Sequence, residues 1–279
     1  MNITVLVDNA TSEGYCSEWG LSLHVQRGDT RVLLDFGQSG AFAQNAAKLG
    51  VDLTAVDAAV LSHAHYDHAD GMASFFAANA HVPLYLSDSC AENCWSTKAG
   101  TSEPHYIGIH PGLLECHAKR LRRVPTNQVT TIAPGFHVVP HTTAGLANKG
   151  QRDGMLLQAQ DGWLPDGFAH EVTLVMELDD AKDAPLVILS SCSHAGPAAI
   201  TDEVGKAFPH RKMAAFVGGL HLMNSSDEEV LRVARDIVTA GIEHVYTGHC
   251  TGDRALELLK RELPGRVTQL HPGLSIIIA

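Results

Sequence analysis

The segment that most constrains this chain is residues 62–71, where four side chains that can bind metal fall within six residues. These side chains are His63, His65, Asp67 and His68. The apolar run 58–61 leads into them and indicates a strand, whereas residues 72–78 after them are typical of the first turns of a helix. The pattern therefore predicts a strand-to-helix turn on which the four side chains converge.

The spacing within this cluster predicts two adjacent metal ions. In an extended segment, residues i and i+2 project to the same side, so His63 and His65 can hold one ion together. Asp67 and His68 follow where the chain turns, and they suit a second ion. Imidazole and carboxylate are the ligands expected for zinc and for divalent iron or manganese. A surface turn that is rich in histidine by chance is the alternative, and the dense spacing disfavours it.

Three further strand-like runs end in short turns that carry a histidine. They are residues 185–190 before His194, 213–217 before His221 and 244–247 before His249. We expect these histidines to meet the 62–71 cluster at one rim of the fold, since buried strands deliver their ends to the edge of a sheet. We predict that His221 contacts substrate or transfers a proton, with metal ligation or an ordinary loop position as alternatives.

The cluster and six shorter motifs resemble the metallo-beta-lactamase superfamily. The motifs lie, in order, at residues 7–9, 19–23, 34–39, 191–196, 218–222 and 247–252. Together they are similar to the branch of 7,8-dihydropterin-6-methyl-4-(ribofuranosyl)aminobenzene-phosphate synthase-like metal-dependent hydrolases. The resemblance covers nearly the whole chain and is more specific for fold and metal centre than for substrate. It implies an α/β fold of the αββα type, in which two mixed sheets are flanked by helices.

The resemblance also implies which residues hold the metals. One set is His63, His65 and His194, and the other is Asp67, His68 and His249. The expected cofactors are two divalent ions, zinc first, with iron or manganese as alternatives. Asp35 is expected to support the metal-binding turn by hydrogen bonds, and a plain turn former is the alternative for it.

Two positions depart from the superfamily pattern. His141 lies one residue too far from Gly145 to match the usual metal-binding turn, so we predict a substrate-side or loop role for it. Cys192 stands where other branches carry a bridging aspartate. A thiolate can bind zinc, and a buried structural cysteine is the alternative.

Size and composition add broader expectations. The 279 residues fit one domain, 1–279, with a lid or insert at about 87–127. The basic run 119–123 within it could contact an anionic group or form a solvated edge. The net charge of −11 argues against a nucleic-acid surface. Six cysteines form no evident disulfide framework, and neither a signal peptide nor a membrane-length apolar run is present, which together indicate a cytoplasmic protein.

These observations predict a metal-dependent hydrolase whose dinuclear centre activates water against a small ester, lactone or phosphate-bearing substrate. Asp67 would orient the nucleophile or take its proton, and His221 would stabilise the leaving group. The expected partner is a small molecule, phosphorylated or not, with no nucleic acid and no membrane, and a homodimer is left open. A di-iron oxidoreductase and a non-catalytic ligand sensor on the same fold are the alternatives.

Overall fold

The computed structural model describes residues 1–97 and 103–279, which form eighteen strands and eight α-helices. The strands are β1 (Asn2–Val7), β2 (Ser22–Arg27), β3 (Thr30–Leu34), β4 (Ala58–Val60), β5 (Leu84–Ser87), β6 (Trp95–Ser96), β7 (His105–Tyr106), β8 (Leu121–Val124), β9 (Thr130–Ala133), β10 (Phe136–Pro140), β11 (Met155–Ala159), β12 (Gly162–Pro165), β13 (Val172–Glu177), β14 (Leu186–Leu189), β15 (Met213–Val217), β16 (His244–Thr247), β17 (Val267–Gln269) and β18 (Ser275–Ile277). The helices are α1 (Ala41–Leu49), α2 (Tyr66–Ala69), α3 (Met72–Ala78), α4 (Leu113–Cys116), α5 (Leu146–Asp153), α6 (Pro197–Ala207), α7 (Asp227–Thr239) and α8 (Asp253–Glu262). Short 3₁₀ helices lie at Leu53–Ala55, Ala118–Arg120 and His249–Thr251.

Two seven-stranded mixed sheets make up most of the fold. The first has the order β18-β1-β2-β3-β4-β5-β8, and the second has the order β17-β16-β15-β14-β13-β10-β9. In each sheet one half is antiparallel and the other half is parallel. Strands β17 and β18 follow one another in the chain but enter different sheets.

The two sheets face each other across a shared apolar core. Along β14, Val187 and Leu189 point into this core, while Leu186 and Ile188 pack against the helices on the outer face. Alternation of this kind is expected for a strand that is buried on both faces. The outer face of the first sheet packs on α1 and α3, and that of the second packs on α6, α7 and α8. The predicted αββα sandwich with two mixed sheets is therefore confirmed.

Local sequence fixes two of the helix ends. Helix α1 ends at Gly50, whose φ of 70° lies in the left-handed region that glycine adopts without strain. Helix α7 begins after Ser226, whose hydroxyl accepts the backbone N–H of Glu229, while the Glu229 carboxylate accepts the backbone N–H of Ser226. This capping box fixes the start of the helix.

A third sheet was not predicted. It has four antiparallel strands in the order β12-β11-β6-β7 and joins the predicted insert 87–127 to residues 155–165. Residues 98–102 of the predicted lid lie outside the described residues. Among the helices that the structure describes, none combines the length and the apolar character that a bilayer crossing requires.

The basic run 119–123 forms an edge of the first sheet and does not reach the main cavity. Strand β8 pairs in parallel with β5. The guanidinium of Arg120 donates to the carbonyl oxygens of Val82, at 2.8 Å, and Asn79, at 3.0 Å. Arg123 donates to the carbonyl oxygen of Cys90 at 2.9 Å. Of the two predicted roles, the solvated edge fits the structure and the anion contact does not.

Gly71 is required because the chain passes too close for any side chain. A Cβ atom at this position would lie 2.0 Å from the carbonyl oxygen of Phe36 and 2.4 Å from that of Ser39. We expect Gly71→Ala to lower the free energy of unfolding by about 1–3 kcal/mol, the usual cost of overpacking. Gly205→Ala is the matched control, because its Cβ would meet only the flexible end of Met213 at 3.7 Å inside helix α6. The control should gain about 0.5–1 kcal/mol. Urea unfolding of both variants measures the difference, and equal values for the two would contradict the prediction.

Candidate metal centre

The turns that follow β4, β14, β15 and β16 come together at the carboxyl ends of these strands. The ring centroids of His63 and His194 are 4.9 Å apart, those of His194 and His221 are 4.4 Å apart, and those of His68 and His249 are 4.9 Å apart. Strand β4 belongs to the first sheet and the other three are neighbours in the second. The histidines that the sequence places far apart therefore share one site between the sheets.

The first set of ligand atoms belongs to His63, His65 and His194. One nitrogen from each lies within 4.8 Å of the others, and all three residues are buried. Nε2 of His63, Nε2 of His65 and both ring nitrogens of His194 are buried with no hydrogen-bond partner among the described residues. Each buried polar atom without a partner costs about 1–3 kcal/mol. A cation held by these nitrogens would remove that cost.

The second set is formed by Asp67, His68 and His249. Nε2 of His68 lies 3.1 Å from Nε2 of His249, and Asp67 Oδ2 lies 3.5 Å and 3.3 Å from these two atoms. The opposite nitrogens are engaged: His68 Nδ1 is 2.8 Å from Asp35 Oδ2, and His249 Nδ1 is 3.2 Å from Asn9 Oδ1. Since both oxygens only accept, both Nδ1 atoms donate. The space between the Nε2 atoms and the carboxylate therefore requires a proton or a cation.

Asp35 orients both sets. Its Oδ1 accepts the backbone N–H of Ser62 at 2.7 Å, and its Oδ2 accepts the Ser62 hydroxyl at 2.6 Å. The Ser62 oxygen then accepts the Nδ1–H of His63 at 2.7 Å, which leaves His63 Nε2 with a free lone pair. The same Oδ2 fixes His68. The predicted support from Asp35 thus has a specific geometry: one buried carboxylate sets the tautomer of one histidine in each set.

The first set is held in the form that binds metal. Burial lowers the pKa of His65 to about 3 and lowers the pKa values of His63 and His194 well below the usual value. These imidazoles are therefore neutral at pH 7. Neutral imidazole is the form that coordinates a divalent ion.

The second set carries charge. Burial lowers the pKa of His68, but the carboxylates of Asp67 and Asp35 outweigh that effect and raise it to about 10. Burial alone would raise the pKa of Asp67, yet the neighbouring His68 and His249 hold it well below its usual range. In the ion-free protein, His68 therefore keeps a proton at neutral pH and Asp67 is ionised.

His141 takes no part in the main cavity. Its Nδ1 lies 2.7 Å from the carboxylate of Glu203, its Nε2 lies 3.5 Å from that of Glu171, and its side chain is buried. Glu171 in turn accepts the backbone N–H groups of His194 and Ala195, at 2.7 and 2.8 Å. The predicted substrate-side role does not fit this position. His141 instead belongs to a buried network that holds the turn carrying His194.

A cavity of about 600 Å³ opens onto both sets. Asp67, His194 and His249 reach it from the centre. His221 lines it as well, and its Nδ1 is buried without a partner in the described part of the chain. Trp19 lies against the ring of His249 with centroids 4.8 Å apart. The structure therefore places the predicted catalytic pair, Asp67 and His221, on the wall of one cavity.

Thiols form one side of this site. Cys192 Sγ lies 3.2 Å from His68 Nε2, and Cys192 groups with His63 and His68 within 4.8 Å. Cys192 also groups with His221 and Cys250 within the same distance. Cys192 is thus at the centre, as its position in the sequence indicated, and its thiol is within reach of the second set.

Four supporting residues were not predicted as such. Ser62 bridges Asp35 and His63, Asn9 fixes His249, Trp19 packs on His249, and Glu171 holds the turn of His194. Ser62 adjoins the histidine cluster and could have been found by that adjacency. Asn9 and Trp19 lie in the motifs 7–9 and 19–23 that carry the resemblance, although no role was predicted for them, whereas Glu171 lies in no such motif.

Comparisons with known proteins agree with this arrangement. A family model described as the metallo-beta-lactamase superfamily matches residues 20–115. A curated protein of Methanocaldococcus jannaschii, named 7,8-dihydropterin-6-methyl-4-(beta-D-ribofuranosyl)-aminobenzene-5'-phosphate synthase, is 23% identical over 237 residues, which cover 82% of this chain and 78% of that protein. An uncharacterized protein of the same organism, MJ0448, is 24% identical and covers 93% and 94%. The crystal structure of Tm1679, described as a metal-dependent hydrolase of the beta-lactamase superfamily, superimposes with a TM-score of 0.83 at 28% identity, covering 100% and 99% of the two chains.

Replacing Asp35 tests its role as the orienting carboxylate. In Asp35→Asn the amide would turn a donor toward groups that already donate, so His63 and His68 lose their fixed tautomers. We expect the affinity for Zn²⁺ to fall about 10- to 100-fold, the usual cost of losing an outer partner of a metal ligand. Competition with a chelator dye measures the affinity, and circular dichroism checks the fold. Asp57→Asn, which alters an exposed hydrogen bond to the backbone of Arg31, is the control. An unchanged zinc affinity in Asp35→Asn would contradict this assignment.

The proton on His68 predicts the pH dependence of metal binding. Because the pKa of His68 is raised to about 10 in the ion-free protein, an entering cation must displace that proton throughout the neutral range. We expect the apparent zinc affinity to rise from pH 6 to pH 8 by about tenfold per pH unit for each proton released. Calorimetry in buffers of different ionisation enthalpy counts the protons. Binding that releases none at pH 7 would show that His68 is neutral beforehand.

Proposed function

We propose that the chain is a metal-dependent hydrolase of the metallo-beta-lactamase superfamily with a dinuclear centre, and the family match over residues 20–115 and the similarity to Tm1679 support this proposal. The observation that carries the proposal is the pair of adjacent ligand sets, whose unshared imidazole lone pairs are buried on the wall of one cavity. Zinc is the preferred ion, because nitrogen, carboxylate and thiol donors together match its ligand chemistry. Manganese and iron are the alternatives.

We assign one ion to His63, His65 and His194, and the other to Asp67, His68 and His249. When bound, such a pair of ions lowers the pKa of a water molecule toward neutrality and polarises a substrate oxygen. The donors fit this purpose because the first set has buried ring nitrogens without a hydrogen-bond partner among the described residues. In the second set, Nε2 of His68, Nε2 of His249 and the Asp67 carboxylate face one point. Both sets adjoin the cavity, so a substrate can reach them.

Cys192 is proposed as a further ligand of the second ion. Its sulfur lies 3.2 Å from His68 Nε2 and groups with His63 and His68 within 4.8 Å. A thiolate favours zinc over magnesium or manganese. The replacement of a bridging aspartate by cysteine would therefore narrow the choice of metal.

Within this centre Asp67 is better suited to orient the nucleophile than to take its proton. Burial alone would raise the pKa of Asp67, but the neighbouring His68 and His249 hold it well below the usual range. A carboxylate with so low a pKa is a weak base, although its oxygens still accept hydrogen bonds. Asp67 would therefore orient a water molecule by accepting a hydrogen bond from it. This choice resolves the two roles that the sequence left open for it.

His221 faces the cavity on the side of the first set. Its ring lies 4.4 Å from that of His194, and its backbone has a φ of 50°, a left-handed conformation that is costly for a residue with a side chain. The strain holds the imidazole at the cavity wall. An imidazole placed there can donate a proton to a leaving group or a hydrogen bond to an oxyanion.

The substrate class is a small ester, lactone or phosphate-bearing molecule. The cavity of about 600 Å³ matches a small molecule rather than a polymer groove. The curated relative is named a synthase, and its name includes a 5'-phosphate, so a related synthase reaction is the second candidate. The oxidoreductase alternative would require redox-active iron, and the sensor alternative would require binding without turnover.

Metal content and turnover test the proposal together. We expect the purified protein to bind two zinc ions, and His194→Ala and His249→Ala each to retain about one, because each variant breaks one set. Hydrolysis should fall by more than about 100-fold in both, since loss of outer partners alone costs 10- to 100-fold. A screen of lactones, phosphodiesters, phosphomonoesters and carboxylic esters supplies the substrates, and atomic emission supplies the metal count.

His81→Ala is the control for these variants, because it removes an exposed histidine that precedes β5 and belongs to neither ligand set. It should keep both ions and full activity. Redox-active iron in the native protein would favour the oxidoreductase. Saturable ligand binding without turnover in any class would favour the sensor. Equal activity of wild type and His194→Ala would refute the dinuclear hydrolase.

A further inference from the structure

A second compartment adjoins the metal cavity beyond His221. It has a volume of about 320 Å³ and lies between α5, the start of α6 and α7. The two cavities share Arg152, Asp153, His221, Ser225 and Glu229 in their walls. A molecule whose reacting bond lies at the metal centre can therefore extend past His221 into this compartment.

The compartment presents three cations. Lys149 pairs with Asp153, and Arg232 lies 3.7 Å from Asp236. For Arg152, no carboxylate oxygen lies within 4 Å among residues 1–97 and 103–279. Arg152 is therefore the cation at the junction of the two cavities that is left available for a ligand.

The third acidic group of the compartment is already engaged. Glu229 accepts the backbone N–H of Ser226 at 2.9 Å as half of the capping box of α7. Glu229 and Arg152 form no ion pair in the described part of the chain. Asp153 and Asp236 are paired with Lys149 and Arg232. An anion that enters the junction therefore meets the unpaired guanidinium of Arg152, with the carboxylates of Asp153 and Glu229 also in the wall.

This position also resolves where an anionic substituent could bind. The run 119–123 offered four basic residues in the sequence, but Arg120 and Arg123 donate to backbone carbonyl groups at an edge of the first sheet. Arg152 lies in helix α5, which showed no comparable pattern, and yet it borders the metal cavity. A guanidinium can bind two phosphate oxygens at once, which fixes orientation as well as charge.

We propose that the compartment beyond His221 binds the phosphate group of a small phosphate monoester, with Arg152 as its main contact and Lys149 as a second one. The phosphate is a handle for binding, and the bond that reacts lies elsewhere in the molecule, at the metal centre. Only the statement that the reacting bond lies at the metal centre rests on the proposed function. The binding of a phosphate monoester at Arg152 is measurable without any turnover.

Ribose 5-phosphate is the probe, with ribose as its uncharged counterpart, and calorimetry on the zinc-loaded protein is the readout. We expect ribose 5-phosphate to bind and ribose to bind far more weakly. Arg152→Gln should weaken ribose 5-phosphate binding about 10- to 100-fold, the range for losing hydrogen bonds to a charged group. Arg152→Lys should recover part of this loss, because it restores the charge but not the paired geometry.

Arg235→Gln is the matched control, because Arg235 is exposed on the same helix as Arg232 and is absent from the lining of both cavities. It should bind the probe as the wild type does, and zinc content should be equal in all variants. Equal affinity of Arg152→Gln and wild type would overturn the proposal, as would binding that disappears with zinc removal and is insensitive to Arg152, since the phosphate would then sit on the metals. Failure of every ester to turn over, with the Arg152 effect intact, would refute the hydrolase and leave this binding site standing.

Discussion

Two imidazole nitrogens that face each other 3.1 Å apart, with a carboxylate within 3.5 Å of both, cannot all keep unshared lone pairs. Asp35 and Asn9 prevent the two rings from turning away, because they bind the Nδ1 atoms of His68 and His249 and so keep both Nε2 atoms directed inward. The free energy stored in this arrangement is released only by a proton or a cation at the centre. The rest of the site follows from this requirement, since every supporting contact acts to keep those lone pairs aimed at one point.

Part of the energetic cost of orienting these side chains lies in strained backbone conformations. Four residues at or beside the centre, Asp35, Ser193, His221 and His249, have φ values of 48–59° although none is glycine. Such left-handed residues cost of order 1–3 kcal/mol each and persist only where the surroundings hold them. A strand of one of the two large sheets ends shortly before each of the four, so the sandwich core holds these turns in place. Stability of the two-sheet core and geometry of the site are therefore coupled through these turns.

The sequence predicted elements that have a hydrophobic period or a capping signal, and it missed elements that depend on contacts between distant segments. Strands such as β14 and the capped helix α7 carry their pattern within a few residues, so tertiary structure had nothing to override. The third sheet joins β6 to β11, which lie some sixty residues apart and are too short to show alternation. The charge of the run 119–123 was evident from the sequence, but its contacts were not. A guanidinium group that donates to backbone carbonyls cannot be distinguished in sequence from one that is free. For the site, the histidine cluster was evident and Asn9 lay in a motif of the resemblance without a predicted role, whereas Glu171 had no local signal.

This division has a physical meaning for function. The ligand sets come from short turns at the ends of strands in the two large sheets, and these strands are specified by local apolar patterns. The outer cavity wall comes from helix α5 and the third sheet, which pack through long-range contacts and present Arg152, Ser96 and Thr97 to the cavity. The candidate metal ligands and much of the outer cavity wall are thus encoded in different parts of the chain. A resemblance carried by the turns can identify a metal centre while leaving the substrate open, because much of the wall that a substrate would contact lies outside the motifs that carry the likeness.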